Sequence, residues 1–199
     1  MPLFKSMNNI YLIGFMGTGK TTVGKELAKK RQWQFVDLDD LIEFREKRTV
    51  ADIFAKNGEP YFRRVEKRVL KDVAKEKGFV VACGGGIVID SENISLMKET
   101  GRVICLQATP EVILARTCGQ AHRPLLNVES PKERIELLLK MRAPYYAQAD
   151  CMVDTSTIPV EKVVENIHRI TGAPSSEAEG SVYKSRKITS RKVKQKKRK

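Results

Sequence analysis

The sequence has few of the residues that bind metals or carry nucleophilic chemistry. Its four cysteines form no C-x-x-C pair, and its two histidines, His122 and His168, are far apart in the chain. A structural zinc site needs such ligands at short spacing, so this class of site is not supported. Three of the cysteines, Cys83, Cys105 and Cys151, lie in or beside apolar runs, where we expect buried, reduced thiols.

Long apolar runs are also missing. None approaches the roughly 20 residues that a membrane-spanning helix needs, and the first residues, MPLFKSMNN, lack the apolar block of a secretory signal. A chain of 199 residues that is 41% hydrophobic is long enough for one well-packed domain and short for two. We therefore expect a cytoplasmic monomer that makes no membrane contact.

The positive charge is unevenly distributed along the chain, which carries a net charge of +13 at pH 7. Residues 175–199 contain ten Lys and Arg against Glu177 and Glu179, a net +8, which leaves +5 for residues 1–174. This tail has hardly any apolar side chains, so we predict that it is disordered and separate from a folded domain of residues 1–174. We expect a solvated appendage, with a weak, salt-sensitive contact to RNA or another polyanion as the alternative.

Apolar runs alternate with segments of helical spacing, which is typical of a parallel sheet flanked by helices. The predicted strands are residues 10–14, 34–36, 79–83, 102–106 and 151–153. The predicted helices are residues 20–30, 38–47, 50–56, 60–75, 91–99, 110–117, 131–146 and 159–170. We therefore expect a single three-layer α/β domain.

The segment GFMGTGKTT contains a complete P-loop pattern between the first predicted strand and the first predicted helix. Its glycines, Gly14 and Gly19 among them, allow backbone N–H groups to curl around phosphate oxygens, and the positive end of the following helix adds to the attraction. Lys20 is placed to reach the β- and γ-phosphates, and the Thr21 hydroxyl to bind Mg²⁺. The loop therefore predicts a nucleoside triphosphate site.

The remaining chain must identify what the triphosphate is used for. It has no N-K-x-D segment for reading guanine, and no later predicted strand ends in the aspartate that usually assists magnesium. The segment VDLDD, directly after the second strand, offers carboxylates instead. If it is extended, Asp37 and Asp39 lie on the same face and Asp40 caps the next helix, so one carboxylate can assist the metal while the other meets an acceptor.

Arginine is more abundant around this predicted crevice than nucleotide binding requires. Arg63, Arg123 and Arg142 occur in the separate segments FRRVE, HRPLL and MRAPYY. A guanidinium binds a carboxylate through two parallel hydrogen bonds, so an acceptor that carries a carboxylate would explain the surplus. Arg63 can also pair with Glu66, three residues further along a helix.

Two further segments have the composition of ligand-binding loops. CGGGIV places Gly84, Gly85 and Gly86 after a strand, where backbone can approach a small ligand closely. RTCGQAHRPLL, which carries Arg116 and Arg123, is similar to a mobile lid that closes over phosphates with an arginine.

Taken together, the segments GFMGTGKTT, DLDD, IFAKNGEPYFRRVE, CGGG, RPLL and RAPYY resemble the shikimate kinase family in their order and spacing, over about residues 9–171. The resemblance implies a nucleoside monophosphate kinase-like P-loop fold with a five-stranded parallel sheet in the order 2-3-1-4-5. It also implies transfer of the γ-phosphoryl group of ATP to the 3-hydroxyl of shikimate, giving shikimate 3-phosphate and ADP, in the biosynthesis of chorismate and aromatic amino acids.

The resemblance also implies roles for individual residues. The ATP phosphates would be bound by Gly17, Thr18, Gly19, Lys20, Thr21 and Thr22, together with Arg123 from the lid. Mg²⁺ would be bound by Thr21 directly and by Asp37 through water, and adenine would lie between Arg116 and residues 155–159. Shikimate would be bound by Asp39, Arg63, Gly84, Gly85, Gly86 and Arg142. Lys20, Asp39 and Arg123 would be catalytic, with Asp39 orienting or deprotonating the acceptor hydroxyl.

Two alternatives from the sequence remain open. Another small-molecule P-loop kinase, such as a gluconate kinase, also has an acceptor with a carboxylate. A nucleic-acid-binding P-loop ATPase could instead act through the basic tail. A chain without residues 175–199 should keep its turnover in the first case and lose it in the second.

Overall fold

The structure is a computed structural model that describes residues 9–118 and 128–172. The predicted lid arginine, Arg123, and the predicted tail of residues 175–199 lie outside the described residues. Among the residues it does describe, no helix is long and apolar enough to cross a membrane.

Five parallel strands form a single sheet. They are β1 (Asn9–Ile13), β2 (Gln34–Asp37), β3 (Phe79–Ala82), β4 (Gly101–Gln107) and β5 (Cys151–Asp154). Their order is β2-β3-β1-β4-β5, which confirms the predicted topology. Every residue of the central strand β1 is buried, as expected for a parallel sheet that helices cover on both faces.

Seven α-helices surround the sheet in the described ranges. They are α1 (Lys20–Arg31), α2 (Leu38–Glu46), α3 (Val50–Val73), α4 (Ser91–Thr100), α5 (Pro110–Thr117), α6 (Pro131–Tyr146) and α7 (Val160–Ile170). Because side chains alternate along a strand, Ile10 and Leu12 pack with α1 and α7, whereas Tyr11 and Ile13 pack with α2, α3 and α4. A third cluster joins Phe15 of the P-loop to α5 and α6.

Two local features of the structure position the candidate site. The predicted helices 50–56 and 60–75 are the two helical parts of α3, and they meet at a kink at Gly58, whose φ of 76° and ψ of 171° are not helical. The glycine run after β3 leads into a short 3₁₀ helix, Ile87–Ile89, that the sequence pattern did not predict. The kink at Gly58 sets the direction of the second half of α3, which carries Arg63.

How deeply each cysteine is buried depends on the position of its strand in the sheet. Cys83 and Cys105 are buried free thiols, as predicted, and burial raises their pKa values. Cys151 is half-buried rather than buried. The prediction fails there because Cys151 opens β5, which lies at the edge of the sheet.

Arg31 joins the C-terminal ends of α1 and α7. Its side chain is only 3% exposed, donates to the carbonyl of Gly172 at 2.6 Å and to the hydroxyl of Thr171, and lies 4.9 Å from the centre of the Trp33 ring. Burial lowers the pKa of this guanidinium. Carbonyl groups at a helix C-terminus carry partial negative charge, so Arg31 acts as a cap for α7.

Candidate active site

The P-loop connects the carboxyl end of β1 to the N-terminus of α1. Gly14, Gly17 and Gly19 have φ values of 132°, 77° and 90°, which side chains rarely tolerate. The Thr18 hydroxyl closes the loop by donating to the carbonyl of Phe15 at 2.8 Å. Gly19 is the N-cap of α1 and, as a glycine, has no side chain with which to cap this helix end. Backbone N–H groups at the start of α1 are therefore available to an anion.

Lys20 and Thr21 extend the loop toward the sheet. The Lys20 ammonium donates to the carbonyls of Gly14 and Phe15, at 2.9 and 2.8 Å. The Thr21 hydroxyl donates to Asp37 Oδ2 at 2.9 Å, across from the end of β2. The structure therefore brings together the two residues predicted to assist Mg²⁺.

A hydroxyl and a carboxylate oxygen are donors that suit Mg²⁺, which usually keeps several waters and shares its coordination with substrate phosphates. No group of three or more His, Cys, Asp or Glu side chains that could hold a metal is found in the described ranges. The pair of Thr21 and Asp37 therefore fits a magnesium ion that arrives with a nucleotide, rather than one held permanently by the protein.

The predicted geometry of VDLDD is corrected. Asp37 is the last residue of β2 and the N-cap of α2, because its Oδ1 accepts from the backbone N–H of Asp39 at 3.1 Å. Asp39 therefore lies in the first turn of a helix and not on the same face of an extended segment as Asp37. Asp40, also in that first turn, is not the cap.

Asp39 nevertheless lies at the carboxyl edge of the sheet, and its pKa is strongly shifted from the usual value. Burial raises its pKa to about 6, with a further increase from the charge of Asp37 and a decrease from the charges of Lys20 and Arg63. A carboxylate with a pKa close to neutral can both accept and release a proton under physiological conditions.

Arg63 and Glu66 form the predicted ion pair on α3. Arg63 Nη1 lies 2.7 Å from Glu66 Oε2, and the Glu66 side chain is only 1% exposed. Burial raises the pKa of Glu66 to about 7, although Arg63 opposes this shift. The second oxygen of Glu66, Oε1, is buried without a hydrogen-bond partner in the described part of the chain. This oxygen can therefore accept a hydrogen bond from a ligand hydroxyl.

The glycine run after β3 is the point where these side chains meet. A Cβ atom added to Gly84 would lie 2.9 Å from Glu66 Oε1 and 3.2 Å from Asp39 Oδ1. At Gly86 the added atom would lie 2.8 Å from the Arg63 guanidinium carbon. The absence of side chains here allows two carboxylates and an arginine to approach the same stretch of backbone.

Arg142 reaches this stretch from α6. An added Cβ at Gly85 would lie 3.2 Å from Arg142 Nη1, and the guanidinium lies 5.6 Å from the centre of the Phe15 ring in the P-loop. The Tyr146 hydroxyl donates to the Gly85 carbonyl at 2.9 Å and thereby fixes the loop. Arg63 and Arg142 thus approach adjacent glycines, although 78 positions in the sequence separate the two arginines.

Arg116 links three segments on the other side of the P-loop. It donates to the carbonyl of Thr155 at 2.7 Å and to the carbonyl of Gly17 at 3.3 Å. The Thr155 hydroxyl in turn donates to the carbonyl of Thr18 at 3.0 Å. The structure therefore places Arg116 and the start of the segment 155–159 beside the P-loop, and a contact of either with adenine stays a prediction.

Glu66 was predicted only as a partner of Arg63 and not as a ligand-binding residue, and Tyr146 was not predicted at the site. The spacing of three residues between Arg63 and Glu66 was the available signal for the first, because it indicates a pair on one helix face. Tyr146 had no such signal, since only the tertiary structure brings the end of α6 to Gly85.

The sequence matches the family model for shikimate kinase over residues 16–171. It is 47% identical to a shikimate kinase of Thermoanaerobacter pseudethanolicus, over 81% of this chain and 94% of that protein. Identity to a shikimate kinase of Thermodesulfovibrio yellowstonii is 46%, over 81% and 93%.

Solved structures show the same similarity. The shikimate kinase from Acinetobacter baumannii in complex with shikimate superimposes with a TM-score of 0.79 at 38% identity, covering 84% of this chain and 94% of that one. The shikimate kinase from Aquifex aeolicus superimposes with a TM-score of 0.71 at 37% identity, covering 80% and 93%.

Proposed function

The chain belongs to the shikimate kinase family and is an ATP-dependent kinase, and we propose that it transfers the γ-phosphoryl group of ATP to the 3-hydroxyl of shikimate in the crevice between the P-loop and Gly84–Gly86. The products are shikimate 3-phosphate and ADP, in chorismate and aromatic amino acid biosynthesis. The observation that carries this assignment is the approach of Asp39, Arg63 and Arg142 to one glycine run beside the P-loop.

The phosphates of ATP are bound by the P-loop. Backbone N–H groups from Gly17 to Thr22 surround the phosphate oxygens, and Lys20 exchanges its two carbonyl acceptors for oxygens of the β- and γ-phosphates. Arg123, which lies outside the described residues, supplies a further positive charge from the lid, and Arg116 lies against adenine.

Thr21, through its hydroxyl, and Asp37, through water, would hold Mg²⁺. The chemistry that Mg²⁺ would supply there is neutralisation of the charge on the phosphate oxygens. Asp37 also caps α2, so the same carboxylate that serves the metal fixes the helix turn that carries Asp39.

The acceptor is bound on the opposite side of the crevice. Arg63 and Arg142 bind the shikimate carboxylate, and the backbone of Gly84, Gly85 and Gly86 lies against the ring. Asp39 orients the 3-hydroxyl and accepts its proton, which suits a carboxylate whose pKa is raised to about 6. A second hydroxyl can donate to the unpartnered Oε1 of Glu66.

Phosphoryl transfer needs little covalent assistance, so the protein acts by positioning and by charge stabilisation. Lys20 and Arg123 stabilise negative charge on the transferred group, while Asp39 aligns the attacking oxygen. Exclusion of water by the lid protects ATP from hydrolysis.

The remaining parts of the proposal rest on the sequence. Residues 1–174 form the kinase domain, and the chain acts as a cytoplasmic monomer. Residues 175–199 are an appendage that makes at most a weak, salt-sensitive contact with RNA or another polyanion.

The proposal is tested by ADP release from MgATP with shikimate, with gluconate or without an acceptor. We expect ADP release when shikimate is present, and not with gluconate or without an acceptor. This should hold for the full-length chain and for one that ends at Pro174. Turnover with gluconate and not with shikimate would show that the assigned acceptor is wrong. Loss of turnover on removal of the tail would favour a nucleic-acid-dependent ATPase.

A further inference from the structure

Glu59 stands at the start of the second half of α3, immediately after the kink. Gly58 has a φ of 76°, and Pro60 follows at a position where its missing N–H is tolerated at a helix start. A carboxylate near a helix N-terminus is favoured by the helix dipole. The kink therefore presents Glu59 one helical turn before Arg63, on the same face.

Glu59 and Glu66 hold Arg63 from both sides along the helix. Glu59 Oε1 accepts from Arg63 Nε at 3.1 Å and from Nη2 at 2.9 Å. Glu66 Oε2 accepts from Nη1 at 2.7 Å. The Glu59 side chain is 59% exposed and borders, with Arg63 and Gly86, an open groove of about 470 Å³.

The contacts with Glu59 and Glu66 use only some of the N–H groups of Arg63. A guanidinium has five N–H groups, one on Nε and two on each terminal nitrogen. Glu59 uses the Nε group and one on Nη2, and Glu66 uses one on Nη1. Among the described residues, this leaves one N–H on Nη1 and one on Nη2, which can donate to a further acceptor such as a carboxylate oxygen.

We propose that Glu59 is a positioning residue for the acceptor: with Glu66 it fixes the Arg63 guanidinium so that two N–H groups remain directed to the shikimate carboxylate. This inference rests on the proposed function, because it assigns the acceptor carboxylate to Arg63. Glu59 acts through Arg63 and lowers the entropy that the arginine loses when the acceptor binds. The opposite role, a carboxylate that competes with the acceptor for Arg63, predicts the opposite change in KM.

The test is the steady-state kinetics of full-length Glu59→Gln and Glu59→Ala, with shikimate and ATP varied separately. We expect the KM for shikimate to rise about twofold in Glu59→Gln, which keeps an acceptor oxygen, and about fivefold in Glu59→Ala. The kcat and the KM for ATP should stay at wild-type values, because Glu59 does not touch the P-loop. In an Arg63→Ala background, Glu59→Gln should cause no further rise.

Asp72→Asn is the matched control. Asp72 is also a partly exposed carboxylate on α3 that pairs with an arginine, Arg45 at 2.7 Å, but it does not contact Arg63. Its removal should leave the KM for shikimate unchanged. A lower or unchanged KM in the Glu59 variants, or an equal rise in the Arg63→Ala background, would overturn the positioning role. Failure of the proposed function itself would be visible separately, as absence of shikimate-dependent turnover in the wild-type chain.

Discussion

Gly86→Ala adds a single methyl group where the backbone passes the Arg63 guanidinium. On the present backbone the new Cβ would lie 2.8 Å from Arg63 Cζ and 2.9 Å from Nη1. Both distances are well below the separation of about 3.5–4.0 Å at which nonbonded atoms attract. Gly86 has a φ of −102°, which alanine adopts without strain, so the backbone has no reason to change.

The substitution should therefore move the arginine and not unfold the protein. The guanidinium of Arg63 is the end of a flexible side chain, and its displacement should remove the hydrogen bonds that we propose it donates to the acceptor carboxylate. Hydrogen bonds to charged groups contribute about 1.5–3 kcal/mol, so we expect the KM for shikimate to rise roughly ten- to hundredfold. The KM for ATP should change little, because the P-loop is untouched.

The assay is ADP release with each substrate varied in turn, together with thermal unfolding. Gly85→Ala is the graded comparison, because its Cβ would lie 3.2 Å from Arg142 Nη1 and needs only a small shift. It should raise the KM for shikimate only a few fold. A normal KM for shikimate in a stably folded Gly86→Ala protein would refute the role given to Arg63 at this position.

Two further predictions concern pH and stability. Asp39→Asn should abolish turnover with shikimate yet stabilise the fold by on the order of 2 kcal/mol at pH 8, because a buried carboxylate with a pKa of about 6 destabilises the protein only while ionised. This gain should disappear as the pH falls through 6 toward 4, and thermal unfolding at both pH values checks it. Arg31→Met should lower the free energy of unfolding by about 1–3 kcal/mol without changing either KM, because it removes the charged cap at the C-terminus of α7. Urea unfolding followed by the fluorescence of Trp33, the single tryptophan, measures the loss.

The kink at Gly58 couples the fold to the site. It lies between the two helical parts of α3, and the second part carries Glu59, Arg63 and Glu66 at spacings of four and three residues. Such spacings place all three side chains on one helix face. The ion pairs of Arg63 with Glu59 and Glu66 are therefore formed within one helical segment, whereas the contact of Arg63 with Gly86 depends on the sheet.

Several features could be predicted from the sequence because they depend on local chemistry. The P-loop requires glycine backbone conformations and a following helix, and both are visible in GFMGTGKTT. The alternation of apolar runs and helical segments predicted the five parallel strands, since strand and helix periodicities differ. The pair of Arg63 and Glu66 was predictable for the same reason, because helix geometry alone brings them together.

The cap of α2 could not be predicted in the same way. Asp37, Asp39 and Asp40 are all good N-cap residues by type. The pairing of β2 with β3 extends as far as Asp37 opposite Ala82, so the helix begins directly after the strand and Asp37 becomes the cap. The choice among the three aspartates is thus made by the sheet.

Residue types and their spacing were enough to predict the P-loop and the residues of the proposed acceptor site. The convergence of Asp39, Glu66, Arg63 and Arg142 on Gly84–Gly86 depends on tertiary packing, because these residues come from α2, α3 and α6. Burial at that meeting point raises the pKa of Asp39 to about 6 and that of Glu66 to about 7. Desolvation depends on the atoms that surround a group in space, so it cannot be predicted from the spacing of residues along the chain.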